Sequence, residues 1–176
     1  MVSRANYITI LDVGKYKGNY EFGFTLTDRA LTYLYKRYQE SPSECQYIIM
    51  TNGDNFYSRN LGKNVLPHME AKKDIIAWGF VSRYYYPEYM SPHRNTWTSP
   101  KIVDKGTAKC ILTAFATYYA DFGTVAYRLA FLQQHSLHIN YPNGTYSKLS
   151  DGYFVEQAAK LTNATVILRQ TLFVHQ

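Results

Sequence analysis

The stretch that most constrains this chain is Cys45 to Tyr57, CQYIIMTNGDNFY. A short apolar run of strand-forming residues, Tyr47-Ile48-Ile49-Met50, stops abruptly on Thr51-Asn52-Gly53-Asp54-Asn55. A buried strand that ends on short oxygen-bearing side chains around a glycine sets those side chains at its carboxyl end. Open α/β sheets hold their ligands there. The same residues also describe an ordinary Asn-Gly turn, so the rest of the chain has to decide between ligand and turn.

Its surroundings read as alternating strands and helices. Tyr7 to Val13 is a β-branched strand ending on Asp12, and Gly14 to Gly23 is a glycine-rich loop. A helix follows, with Thr25 or Thr27 as its cap, Asp28 in its first turn, and Leu26, Ala30, Leu34 and Tyr38 at helical spacing. Ser41-Pro42-Ser43 ends it. The strand Gln46 to Thr51 comes next, and strand, helix, strand in that order implies a right-handed parallel crossover. Ser58 caps a short helix that runs to Leu66 and is closed by Pro67, and Asp74 to Ser82 is a second hydrophobic strand. Cys110 to Thr117 is a further strand. Asp121-Phe122-Gly123 makes a tight turn into a helix over Arg128 to His135, and Asn140 to Gly144 is a loop. Ser150 caps a helix over Asp151 to Leu161, and Ala164 to Gln170 is the last strand. These elements predict one α/β domain over residues 1–176, with a mostly parallel sheet flanked by helices.

Between Arg83 and Gly106 the periodicity is lost. RYYYPEYMSPHRNTWTSPK carries three prolines, four tyrosines and a tryptophan. A long aromatic loop inside a compact domain is either a binding loop or a surface excursion packed by its own rings. The chain has 18 tyrosines, whose faces suit sugars and bases but which also serve simply as strand residues.

Charge narrows the partners. A net charge of +6 favours anions, but the basic residues are scattered and never run beyond two, unlike the stripe or arm of a nucleic-acid binder. The expected partners therefore exclude nucleic acid. Cys45 and Cys110 are too few for a disulfide framework or a zinc site and read as buried thiols. No apolar run reaches the length of a membrane span, and the start MVSRANYITI has no signal-peptide core, which implies the cytoplasm. The sequons at Asn143 and Asn163 carry no weight without a secretory signal.

Four clusters stand at element ends: Asn52 with Asp54, Asp121, Asp151 with Glu156, and His175. Hard divalent cations take carboxylate and carbonyl oxygens and keep waters and substrate phosphates in their shell. One aspartate, one amide or second carboxylate, and a histidine would suit manganese bridging a diphosphate, where the ion neutralises charge on the leaving phosphate. Each residue also has a structural reading. Asp151 is a good charge for a helix start, Asp121 can bond its own turn, and Glu156 lies five residues past Asp151, off its face.

The order of these stretches resembles GT-A glycosyltransferases, the nucleotide-sugar enzymes with a D-x-D motif, and among them chlorovirus and algal-type domains. The motif reads Asn52-Gly53-Asp54 here, with asparagine at the first position. Tyr119 to Arg128 resembles the acceptor-side stretch, Ser150-Asp151-Gly152-Tyr153-Phe154 the start of the helix carrying the acidic base, and Phe173-Val174-His175 the late strand with a metal-binding histidine. The resemblance implies an inverting, Mn2+- or Mg2+-dependent transfer of a hexosyl or deoxyhexosyl group from a UDP- or GDP-sugar to a glycan acceptor. It assigns Asp151 as general base, Asp54 and His175 as metal ligands, Asn52, Gly53, Asp54 and Asn55 to the donor, and Asp121 and Trp97 to the acceptor side. Only one strand and one helix precede the motif, which implies a shortened nucleotide-binding half. A non-catalytic carbohydrate- or nucleotide-binding relative is the alternative.

Overall fold

A computed structural model describes residues 23–42, 45–82, 84–85, 101–102 and 109–175. The expected strand Tyr7 to Val13, its crossover, and most of the aromatic loop including Trp97 lie outside those residues. The described elements are α1 (Phe24–Glu40), β1 (Tyr47–Ile49), β2 (Phe56–Tyr57), α2 (Leu61–Glu70), β3 (Ile75–Ser82), β4 (Tyr84–Tyr85), β5 (Lys101–Ile102), β6 (Lys109–Ile111), the 3-10 turn η1 (Phe122–Thr124), β7 (Val125–Arg128), α3 (Leu129–Gln134), α4 (Ser150–Lys160) and β8 (Thr165–His175).

Strand β3 organises the sheet because its sequence is apolar on both faces. Ile75 and Ala77 point into one core, with Phe24 and Leu31 of α1, Phe131 and Leu132 of α3, and Phe154, Val155 and Ala158 of α4. Ile76, Trp78 and Phe80 point into the other, with Val65 of α2 and Leu172 and Phe173 of β8. The period-2 alternation of a strand buried on both faces divides the two cores.

Among the described residues the main sheet has the order β1-β7-β3-β8-β2, with β6 also paired to β3. It is mixed, which corrects the mostly parallel sheet expected. β3 and β8 pair in parallel, while β1·β7, β7·β3, β2·β8 and β3·β6 are antiparallel. Two antiparallel steps through β7 leave β1 aligned with β3 and β8, so three strands end at one edge of the sheet. β7 runs against them because the chain reaches it from β6 along the same edge of β3, without a crossover.

Several boundaries moved for local reasons. α1 begins after Gly23, whose φ of 80° suits glycine, and Thr27 reaches back to the Gly23 carbonyl instead of capping the helix. Asp28 is therefore beyond the first turn, and it is buried. α2 runs through Pro67 to Glu70. Proline costs a helix interior about 3 kcal/mol, but buried Val65, the packing of Met69 on the core and the Tyr47 hydroxyl bonded to the Met69 and Lys73 carbonyls hold the later turn. α4 takes Leu149 at its cap position, and Ser150 Oγ accepts instead from the Ser147 amide at 2.9 Å. β8 extends to His175 through an irregularity, since Trp78 pairs with Leu168 but Gly79 with Thr171. A Cβ on Gly79 would lie 3.2 Å from the Gln170 carbonyl, so glycine lets the bulged backbone approach. Of the cysteines expected to be buried, Cys45 is half-buried and Cys110 is exposed.

Candidate active site

The aligned strands deliver two of the expected clusters to one edge. β1 passes through buried Met50 into an exposed turn over Thr51 to Asp54. That turn is braced locally, with Asn55 Nδ2 donating to Thr51 Oγ1 at 3.2 Å and the Asn55 amide facing the Asn52 carbonyl at 3.5 Å. The chain then enters β2, paired to β8 through Phe56↔Val174 and Tyr57↔Phe173. One further step in that register sets Asn55 opposite His175, so the Asn52–Asn55 turn and His175 share one end of a ladder. His175 is half-buried, with Nδ1 3.4 Å from Ser82 Oγ and its ring stacked on Phe173 at 6.2 Å. Asp54 is exposed. Among the described residues, no three His, Cys, Asp or Glu side chains gather as a metal-binding group.

The other two clusters are brought together by an excursion from the edge of β3. β6 pairs with Phe80 to Ser82 and β7 with Ile75 to Ala77, which leaves a gap at Trp78 and Gly79. Thr113 Oγ1 donates to the Trp78 carbonyl at 2.6 Å and satisfies an acceptor that the ladder leaves open. The strand expected over Cys110 to Thr117 therefore stops at Ile111, and the chain loops out until η1. This loop is fastened to α4. Glu156 Oε2 accepts from the Thr117 amide at 3.0 Å and from its hydroxyl, and Lys160 donates to Glu156 Oε1 at 2.8 Å. Gly152 seats on the Thr117 backbone with no room for a Cβ.

Asp121 closes the excursion as the cap of η1. Its Oδ1 accepts from the Gly123 amide at 2.7 Å, and Thr124 Oγ1 completes a capping box. Gly123 lies under the Phe173 ring, where a Cβ would not fit. Phe122 meets Phe154 edge-on at 5.6 Å, and Tyr127 meets Phe154 at 5.4 Å, so η1, β7 and α4 share one aromatic cluster. Asp151 stands on the first turn of α4, with its Oδ1 accepting from the Gly152 amide at 2.7 Å.

Burial in this cluster, and then the charge of Asp121, push the Asp151 carboxyl up to about 8, against the opposing pull of the Gly152 and Asp151 backbone amides. The Tyr127 phenol is pushed well above its ordinary range by burial, then by Asp151 and Asp121. Its hydroxyl is buried, with no hydrogen-bond partner among the described residues. Burial also raises Tyr57, with Thr51 opposing and Asp121 adding to the shift. Thr51, Tyr57, Asp121, Tyr127 and Asp151 thus lie within electrostatic reach along one chain of influences. A carboxyl raised by burial and a neighbouring charge has the marks of a functional acid or base.

Two shallow clefts, of about 380 Å³ beside Ser58, Lys63 and Gln170 and about 300 Å³ beside His138, Tyr141 and Tyr153, contain none of Asp54, Asp121, Asp151 or His175. The carboxylate cluster lies at the sheet edge instead. Sequence reasoning missed Thr117, Gly123, Tyr127 and the clamping role of Glu156. A glycine directly after the helix's first acidic residue, Asp151-Gly152, was the available signal of a close backbone approach. Tyr127 had none, since it reads as a strand tyrosine.

No protein-family model matches the chain, nor does any curated protein sequence. Among solved structures, Staphylococcus aureus TarS 1–349 superposes with a TM-score of 0.53 over 92% of this chain and 42% of that one, at 13% identity. The same protein in complex with UDP gives a TM-score of 0.52 over 90% of this chain and 41% of that one, at 12% identity. The chain spans about two fifths of the length of the TarS structure. TarS is a glycosyltransferase, and at this identity the likeness is one of fold: the chain is folded like part of that enzyme.

Proposed function

We propose that this chain transfers a sugar from a nucleoside diphosphate-sugar, UDP- or GDP-linked, to a hydroxyl of a glycan acceptor. The observation that carries this reading is Asp151, a carboxyl of raised proton affinity at the sheet edge of a glycosyltransferase-like fold. The UDP bound by TarS supports the donor class.

In the reaction proposed, Asp151 takes the proton of the acceptor hydroxyl as that oxygen attacks the anomeric carbon. The bond to the diphosphate breaks, and the diphosphate leaves with the electron pair. A single displacement inverts the anomeric centre, as in inverting glycoside hydrolysis. Asn52, Gly53, Asp54 and Asn55 face the diphosphate and donor sugar, a hexose or deoxyhexose. Asp121 and Trp97 belong to the acceptor side, Trp97 outside the described residues. The net charge of +6 draws the anionic donor in.

On this reading Asp54 and His175 would be the residues that hold a hard cation. They would offer a carboxylate and an imidazole, the kind of ligands that Mn2+ or Mg2+ would supplement with water and phosphate oxygens. When bound, the ion supplies charge neutralisation for the leaving diphosphate. The asparagine at position 52 favours a second reading, a carbohydrate- or nucleotide-binding relative without turnover.

Binding separates the site from any other on the surface. UDP and GDP titrated calorimetrically with and without Mn2+ should bind more tightly with the ion, and Asp54→Ala should remove that gain. Equal affinity in the variant would move the nucleotide site elsewhere.

A further inference from the structure

Asp121 is held more rigidly than a cap of a three-residue turn requires. Its Oδ1 is fixed by the Gly123 amide, and its backbone N–H faces Thr124 Oγ1, which in turn donates to the Asp121 carbonyl at 2.6 Å. The turn is pressed between Phe173 over Gly123 and Phe154 against Phe122. The loop before it is locked to α4 at Gly152 and Glu156, on either side of the helical turn that follows Asp151. Through Thr117 and Phe122 the segment that carries Asp121 is packed on the helix that carries Asp151. The rings that join the two elements, Phe122, Tyr127 and Phe154, are buried and in contact with one another. A charge acting across such a low-dielectric wall is weakly screened.

We propose that Asp121 is a positioning residue for the base, acting on Asp151 through its charge. This rests on the reading of Asp151 as the base. The groups around the pair are consistent with that role. From β7, the Tyr127 phenol is raised by the charges of both carboxylates after burial, and from β2, Tyr57 is raised by burial and then by Asp121 against the pull of Thr51. On α4 itself Glu156 and Lys160 are paired with each other. Among the described residues the influences on Asp151 are burial, Asp121 and two backbone amides. A neighbouring negative charge raises the proton affinity of a carboxylate, which makes it a stronger base once ionised.

The test is the titration of Asp151 followed by the 13C signals of aspartate carboxyls in the full chain, with Asp151→Asn to assign the resonance. Asp121→Asn keeps the Oδ1 acceptor for the Gly123 amide and removes the charge. The Asp151 midpoint should then move towards acid. Thr124→Val keeps both charges while breaking the capping box, and should leave the midpoint in place. An unmoved midpoint in Asp121→Asn overturns the proposal, and so does an equal shift in Thr124→Val, which would make Asp121 merely structural. In a transfer assay the acid limb of kcat/KM should shift with the midpoint in Asp121→Asn. A midpoint shift with no turnover in wild type would uphold the pairing and remove Asp151 as a base.

Discussion

The backbone of Thr117 occupies the place where a side chain on Gly152 would have to be. A Cβ built on Gly152 overlaps the Thr117 carbonyl, so the first turn of α4 reaches the excursion from β3 only because residue 152 is glycine. That contact sets how closely the start of α4 approaches the segment that leads to Asp121.

Gly152→Ala should therefore push loop and helix apart. Overpacking of this kind costs about 1–3 kcal/mol, and the displaced start of α4 would also lower activity. Thermal unfolding gives the first effect. The Asp151 carboxyl titration gives the second, with its midpoint moving towards acid. A variant as stable as wild type would show that the loop yields freely.

Glu156 makes the same junction depend on pH. Its carboxyl is lowered to about 2, first by the bond from Lys160 and then by Thr117. A depressed acid contributes stability above its ordinary range and loses it as pH falls through the lowered value. The Thr117 amide signal should hold steady at neutral pH and move as the solution is acidified towards pH 2. In Glu156→Ala it should be exposed at every pH, with a loss of about 1 kcal/mol. An acid-insensitive Thr117 signal in wild type would contradict the clamp.

Asp28 anchors a different part of the helical layer. It is 7% exposed and accepts from the Ile139 amide at 2.7 Å, the Asn140 amide at 3.3 Å and the Tyr146 hydroxyl at 2.9 Å. Asp28→Ala leaves buried donors without an acceptor, at roughly 1–3 kcal/mol for each. Chemical denaturation should show a large loss of stability with the metal-dependent nucleotide affinity unchanged while the chain remains folded. A near-neutral variant would mean that the loop from Leu137 to Tyr146 finds other partners.

Much of the fold was legible where burial repeats with a period. Ile75 to Ser82 showed its strand, whereas α1 buries Phe24, Asp28 and Leu31 and not the face of Leu26, Ala30, Leu34 and Tyr38 that the helical spacing suggested. What escaped was set by distant partners. Pro67 looked like a stop until Tyr47 and the second core were seen to hold the turn beyond it. β6 stops at Ile111, with Thr113 bonding the Trp78 carbonyl by its side chain and β7 taking Ile75 to Ala77, and local sequence carries no trace of how that edge is shared. The candidate site divided in the same way. Asn52, Asp54, Asp121, Asp151 and His175 stood out as candidates because they lie at element ends. The environment of Asp151 could not be named, because it is built by Thr117, Phe122, Tyr127 and Phe154 from three other segments.

The raised carboxyl of Asp151 also has a cost in stability. A raised acid is favourable below its ordinary value, and that contribution is lost as pH rises through about 8. Asp151→Asn should thus be more stable than wild type above pH 8 and gain little at acidic pH. A gain of about 1–2 kcal/mol would appear as roughly 2–8 °C in melting temperature for a chain of this length. Equal melting curves at high pH would contradict the burial of that charge.

Transfer itself tests the central claim most directly. Purified protein with Mn2+, a panel of UDP- and GDP-sugars and simple glycan acceptors would be followed for release of the nucleoside diphosphate and for the new glycoside by NMR. The account predicts turnover with at least one donor, inversion at the anomeric carbon, and a loss of about 100-fold or more in kcat for Asp151→Asn. Turnover that survives intact in Asp151→Asn, or a product that retains the donor's anomeric configuration, would contradict it.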